Sequence, residues 1–296
     1  MNVEDILKYQ PTTLSEKERR QFFQDGYLVL PEFIQNNWLN ALNKAMAELI
    51  EQSRSRNHSD DWFTLEEGHT AEAPKLHRIT SPQDLHQTFW DFFKSDEMTA
   101  LAADVVGPDV KFHHAKLNVK SGDGSRGFKW HQDIQAWPHT DYSPVTIGLY
   151  LNGCRQDQGP LSFVPGSHNG PLYSMYNQEG QFVVRIADED LAWLGEDMIV
   201  RPTGGPGTLV LLSCRVIHGS SANQSNDPRP LLLSVYSSAD SFPYTPSPIN
   251  SRYYGDIVRG DPAQYASFDT RPCELPPDWR QGYKTAWKYQ EQEENN

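Results

Sequence analysis

The apolar residues of this chain recur with two different periods. In the first third the period is helical. Trp38, Leu42, Ala45 and Leu49 fall three or four residues apart, which predicts an amphipathic helix from Asn37 to about Ser53 with its apolar stripe in a core. Ser15-Glu16-Lys17-Glu18 has the form of a capping box. Phe22, Phe23 and Gly26 follow it, so a short helix closed by the glycine is expected. Tyr27–Leu30 reads as a strand ended by Pro31. Ser81-Pro82-Gln83-Asp84 and Ser95-Asp96-Glu97 are further helix starts, the second opening a helix that runs to Gly107. The first dozen residues read as a loose arm and residues 54–73 as a polar loop. Lys75–Ile79 is a compact basic cluster, of the kind that is usually a solvated face.

Beyond Pro108 the period becomes two. In Phe112–Val119, His114, Lys116 and Asn118 share one face of a strand, while His113, Ala115, Leu117 and Val119 share the other. Val145–Leu151, Leu161–Val164, Thr208–Leu212 and Leu231–Tyr236 are further short strands separated by Gly/Pro turns, the pattern of a β-sandwich or barrel. Ala187–Glu196 is expected to form a short acidic helix. Beyond Ser241, prolines and aromatic residues suggest an ordered wrap ending in a frayed Glu/Asn tail. There are no internal repeats and no linker interrupts the middle. A single domain over 1–296 is expected, with a helical part at about 14–107, a β-core at about 110–240 and a wrap at about 241–296.

Composition narrows the classes. Across 296 residues the net charge is −13, which argues against nucleic acid as a partner, since that needs a basic face. No apolar run approaches the ~20 residues that cross a bilayer. The N-terminus lacks the basic-then-apolar order of a secretory signal. Cys154, Cys214 and Cys273 form no Cys-x-x-Cys, which fits free thiols in a reducing compartment. A cytoplasmic protein acting on a small molecule is expected; the oligomeric state is not readable.

The chemistry centres on Gly127–Trp137, where His131 and Asp133 flank Gln132. On a strand these two side chains project from one face, so they could cover one side of a metal ion. His218 is the candidate third ligand. Two histidines and one carboxylate with open positions make the facial triad of non-haem Fe(II) oxygenases. Arg229, eleven residues past His218 and followed by the apolar run Pro230–Val235, could place a guanidinium deep in the same pocket, where its planar fork suits a carboxylate. A zinc hydrolase could use the same ligand set, though it would not require this arginine. A non-catalytic binding module would not require the ligands.

Gly127–Trp137, the Gly159–His168 segment with its Pro-Gly-Ser-His turn, and the His218…Arg229 spacing resemble the phytanoyl-CoA dioxygenase family over about residues 20–240. The Phe-x-Trp-His-x-Asp-x-x-x-Trp spacing is also similar to the ectoine hydroxylase branch of that family. The resemblance implies a mainly β fold with N-terminal helices, the core a double-stranded β-helix (a cupin-like jelly roll). It implies Fe(II), O2 and 2-oxoglutarate, with His131, Asp133 and His218 holding the iron and Arg229 the distal carboxylate of the co-substrate. Succinate, CO2 and a hydroxylated product are the expected outcome. Related halogenases replace the carboxylate that Asp133 provides, so hydroxylation or desaturation is favoured over halogenation. In the ectoine branch the positions matching Asn118 and Ser220 contact 2-oxoglutarate, and the position matching Trp137 is a tryptophan that walls its pocket. His114 and Lys116 would then face the same cavity, with His113 and His168 structural. Because N-terminal segments of the family tend to cover the pocket mouth, Arg78 is the candidate for an anionic group on a polar substrate.

Overall fold

The computed structural model describes residues 3–122, 126–281 and 288–290. In chain order the elements are α1 (Val3–Ile6), α2 (Glu16–Asp25), β1 (Tyr27–Leu30), α3 (Asn36–Ser53), β2 (Phe63–Leu65), β3 (Leu76–Thr80), α4 (Pro82–Leu85), α5 (Gln87–Phe93) and α6 (Asp96–Val106). The strands β4 (Val110–Asn118), β5 (Phe128–His131), β6 (Val145–Tyr150), β7 (Leu161–Phe163), β8 (Thr208–Ser213), β9 (His218–Ser220), β10 (Leu231–Ser238) and β11 (Ile257–Arg259) follow. Helices thus precede a mainly β remainder, as the change of period predicts.

The strands form two antiparallel sheets. The larger has the order β1-β8-β6-β10-β4-β3-β2, with β11 also on β4; the smaller is β5-β9-β7. The larger sheet is covered on both faces, which is why its central strands read as unbroken apolar runs. Along β8, Leu209 and Leu211 join the core beneath the helices with Leu42, Phe89 and Phe93, whereas Val210 and Leu212 join Phe163 of the smaller sheet. The space between the sheets is therefore apolar except where polar side chains are placed in it.

Local signals explain the helix ends. Ser15 and Glu18 make the reciprocal capping box, and Gly26 closes α2 at φ 77°. Ser95 Oγ accepts from Met98 N at the start of α6. Ser81 behaves differently from its sequence pattern. It sits at φ 48° and caps nothing; its hydroxyl donates to Asn250 O at 2.7 Å, and the helix after it lasts one turn.

Four other expectations are corrected, three of them by long-range contacts. The N-terminal arm is tied down, since the N–H groups of Thr12, Thr13 and Leu14 all donate to the buried Asp104 carboxylate at 2.7–2.8 Å. The polar loop at 54–73 contains β2, which pairs with β3. The basic cluster is β3 itself, paired between β2 and β4, and Arg78 is only 3% exposed. Residues 187–196 form no α-helix. Their backbone bonds close four-residue turns, as in Leu191 N to Asp188 O, and only Leu191 is buried, too little apolar surface to hold a helix against the fold. The C-terminal wrap is ordered: β11 pairs β4, and Trp279 Nε1 donates to Ala136 O at 3.0 Å. The frayed tail at 291–296 lies outside the described residues.

Asp104 offers a test of this tertiary pinning. Asp104→Asn replaces one accepting oxygen by a donor that faces backbone N–H groups, so a loss of about 1–3 kcal/mol is expected. Urea unfolding measures it, and amide exchange should show lost protection at 12–14.

Candidate metal centre and its pocket

The candidate ligands meet where β5 and β9 pair. His131 stands opposite His218 in this antiparallel register, which brings two residues distant in sequence to adjacent backbone positions. Gly219 permits the approach, because a Cβ there would lie 2.8 Å from Phe128 O. Asp133 arrives differently from the expected alternation. The strand ends at His131, and Asp133 has φ −71° and ψ −34°, at the start of a 3-10 turn. Bonds to the segment before β9 hold that turn. Ile134 N donates to Cys214 O at 3.0 Å, and Gln132 Nε2 to Arg215 O at 2.8 Å.

His131, Asp133 and His218 offer ligand atoms within 4.8 Å of one another. Nε2 of His131 lies 3.6 Å, and Nε2 of His218 3.9 Å, from Oδ1 of Asp133. The tautomers follow from the partners. His131 Nδ1 lies 2.9 Å from Lys129 O, and His218 Nδ1 3.0 Å from Val216 O. A carbonyl only accepts, so each Nδ1 carries the proton and each Nε2 turns its lone pair inward. The second oxygen of Asp133, Oδ2, accepts from Thr146 Oγ1 at 3.2 Å, which leaves Oδ1 for the centre. Burial by itself would raise the Asp133 carboxyl, but His218, His131 and Lys116 hold it well below the usual carboxylate range. Burial and the neighbouring His131 push His218 down to about 3. Two imidazoles and one carboxylate are the donor set that fits a divalent metal.

The cavity that contains these ligands continues to Arg229. Arg229 is 3% exposed, and its Nε and Nη1 are buried without a hydrogen-bond partner among the described residues. Such a guanidinium fits an anion supplied from outside the chain. Beside it, Lys120 Nζ donates to Ser220 Oγ at 3.0 Å and to Ser221 O. Burial, then the proximity of Arg229, lowers Lys120 to about 6.

The remaining candidates divide. Asn118, Ser220, Arg78 and Lys116 line the cavity. Arg78 Nε donates to Asn118 Oδ1 at 2.9 Å, across the β3–β4 register that sets these two residues opposite one another. Trp137 and His114 do not line it. Trp137 packs with Ile134, Cys214 and Val235. β10 pairs Val235 with His114 and Tyr236 with Phe112, leaving His113 unopposed in a bulge next to His114. Both imidazoles then lie on one side, joined through their Nδ1 atoms, and His113 packs against Trp137. His168 is held by the backbone, with Nε2 donating to Phe23 O at 3.0 Å.

Sequence reasoning missed three polar residues that line this pocket, His77, Lys120 and Thr146. Lys120 continues the period-two face of Lys116 and Asn118 beyond the strand end, so alternation alone could have included it. Thr146 is a polar residue inside the apolar run of β6, a signal that was present and unused.

Comparison with known proteins agrees with this arrangement. A family model described as Phytanoyl-CoA dioxygenase (PhyH) matches residues 22–231. A probable alpha-ketoglutarate-dependent hypophosphite dioxygenase of Stutzerimonas stutzeri is 25% identical, covering 88% of this chain and 90% of its own. An ectoine dioxygenase of Halomonas elongata is 28% identical, covering 77% and 71%. The crystal structure of EctD from S. alaskensis with 2-oxoglutarate and 5-hydroxyectoine superimposes with a TM-score of 0.67 at 23% identity, covering 88% and 90%.

Thr146 can be tested without any turnover. If its hydroxyl orients Asp133, Thr146→Val should weaken binding of Mn(II) by about 10-fold, within the range seen when a ligand's outer partner is lost. Thr146→Ser should restore most of it. Titration of metal into the metal-free protein reads both variants, and an unchanged Kd in Thr146→Val would remove Thr146 from this role.

Proposed function

The chain belongs to the phytanoyl-CoA dioxygenase family, and on that premise we propose that it is an Fe(II)- and 2-oxoglutarate-dependent dioxygenase that hydroxylates a small molecule, giving succinate and CO2. One observation carries this reading. A His-Asp-His group with both Nε2 atoms turned inward shares a cavity with a buried guanidinium that has unmet donors. A zinc hydrolase accounts for the first half of that pairing and leaves the second without a purpose. The two sheets are then the halves of a double-stranded β-helix, with the helices and the C-terminal wrap completing a single domain.

In this reading His131, Asp133 and His218 hold the iron, which would supply activation of O2 coupled to decarboxylation of 2-oxoglutarate. The chain's own residues bind and orient. Arg229, flanked by Lys120 and Ser220, holds a carboxylate of the co-substrate in a fixed place. Thr146 keeps Asp133 turned to the metal by one oxygen. Leu161, Leu231 and Leu233 line the same cavity, and their apolar surfaces keep water from the reacting groups, which strengthens each charged contact there. The relatives are named for hypophosphite and for ectoine, two unlike molecules, so the cavity of this chain must define its substrate.

The direct test is O2-dependent formation of succinate from 2-oxoglutarate by the purified protein loaded with Fe(II). Iron uptake without any such turnover, across a broad substrate panel, would refute the reading. His218→Ala is expected to lose both iron retention and turnover; normal turnover in that variant would show that the distal ligand is another residue.

Arg229→Lys keeps the charge and loses the fork. Losing one partner of a buried charged pair costs roughly 2–5 kcal/mol, so in Arg229→Ala the 2-oxoglutarate requirement should rise by about 30-fold or more at ~1.4 kcal/mol per decade, and in Arg229→Lys by a smaller factor, with iron binding intact in both. An unchanged requirement in both Arg229→Lys and Arg229→Ala would take Arg229 out of the co-substrate site.

A further inference from the structure

The geometry points to Tyr150 as the residue that positions the Arg229 guanidinium for the distal carboxylate of the co-substrate, through the face of its ring. The inference rests on the dioxygenase reading above and adds a positioning residue to it. The backbone of Arg229 is fixed, since its N–H donates to Lys120 O at 3.0 Å. Its guanidinium is held differently. Nε and Nη1 are buried without a hydrogen-bond partner among the described residues, so they do not set its plane. What the guanidinium meets instead is aromatic: Arg229 Cζ lies over the Tyr150 ring, 5.8 Å from its centre.

Tyr150 belongs to the wall behind the cavity. It is fully buried, packs with Leu161, Phe163, Leu231 and Leu233, and is not among the residues that line the cavity. Both ends of the residue are tied. β6 and β10 pair Tyr150 with Leu231, two residues past Arg229, and Leu151 N donates to Pro230 O at 3.3 Å. At the far end of the ring, the hydroxyl accepts from Leu161 N at 3.0 Å, and β7 pairs Leu161 with Ser220 of β9. The ring is thus anchored to the larger sheet by its backbone and to the smaller by its hydroxyl. Thr146, four residues earlier on the same face of β6, donates to Asp133, so one strand serves both ends of the site.

The negative face of an aromatic ring attracts a cation, and the attraction grows where water is excluded. A guanidinium free to turn must be ordered when a carboxylate arrives, and that ordering weakens binding. An anchored ring face orders it beforehand, so the fork is in place before the ligand enters. The hydroxyl serves a different bond, the one to Leu161. Ring and hydroxyl are therefore separable by substitution.

The experiment measures, by calorimetry, binding of 2-oxoglutarate and of 2-oxopentanoate to the Mn(II)-loaded protein. The two share the 2-oxo acid end and the chain length, and only the first carries a distal carboxylate. Wild type should prefer 2-oxoglutarate by about 10-fold or more, and Arg229→Ala should lose that preference. Tyr150→Phe keeps the ring face and loses the hydroxyl, so it should unfold at lower urea yet hold the preference within about threefold. Pentafluorophenylalanine at position 150 keeps the shape of that variant and reverses the charge distribution of the ring. There 2-oxoglutarate should bind about 10-fold more weakly than in Tyr150→Phe, the scale of a desolvated cation–π contact, while the Kd values of 2-oxopentanoate and Mn(II) move by less than about threefold. Equal 2-oxoglutarate affinity with the two rings would overturn the proposal. Parallel weakening of both oxo acids would overturn it too, by showing that the ring only packs. A preference already lost in Tyr150→Phe would give the role to the hydroxyl and refute the ring. Wild type that does not distinguish the two acids would sink the co-substrate reading of Arg229 and this inference with it. A preference that depends on Arg229 and not on the ring sinks this inference alone.

Discussion

Across the short antiparallel pair of β5 and β9, His131 faces His218, and the organisation of the site depends on that pairing. Closing so long a loop costs chain entropy, which the surrounding apolar packing must offset. The smaller sheet buries Leu161 and Phe163 against Val210, Leu212, Leu231 and Leu233 of the larger one. Once that contact forms, the two imidazoles have no other place to go. Their Nδ1 atoms are taken by backbone carbonyls two residues upstream in their own segments, so local backbone geometry orients the rings that the register brings together.

Electrostatics within the cavity runs against that of the whole molecule. The chain carries a net charge of −13, yet the basic side chains Arg78, Lys116, Lys120 and Arg229 all line one pocket, in which Asp133 is the carboxylate among the described lining residues. Removing a cation from water is costly unless it finds a partner, and burial beside Arg229 lowers Lys120 to about 6. Lys120 is partly met by Ser220 and by backbone carbonyls, whereas Arg229 keeps two buried donors unmet. Unmet donors of one sign are a negative image of the molecules the pocket accepts. Acidity elsewhere in the chain therefore says nothing about the charge of its ligands.

Small departures from regular structure place these groups. A bulge opposite Val235 and Tyr236 brings His113 and His114 into one cluster with Trp137. The end of β5 at His131 lets the chain turn, and the turn rather than strand alternation presents Asp133. In both places a single irregular residue changes which side chains meet, because the period of a strand is two and one extra residue exchanges its faces.

Sequence alone determined what depends on local rules and on residue chemistry. The capping box at Ser15, the period of α3 and the apolar runs of β6, β8 and β10 are local, and each formed where its pattern predicted. His131, Asp133, His218 and Arg229 were legible because few chemistries need those residue types in that order. Tertiary structure decided everything that turns on a partner far along the chain. Asp104 orders residues 12–14, β2 and β4 bury the basic cluster as β3, and Ser81 gives up its cap for Asn250. It also separated Lys116, which reaches the cavity, from His114, which does not, although alternation put them on one face. The physical reason is common to these cases. Periodicity reports the average environment of a side chain, whereas pairing registers and bulges are set by long-range contacts whose energies no local window contains.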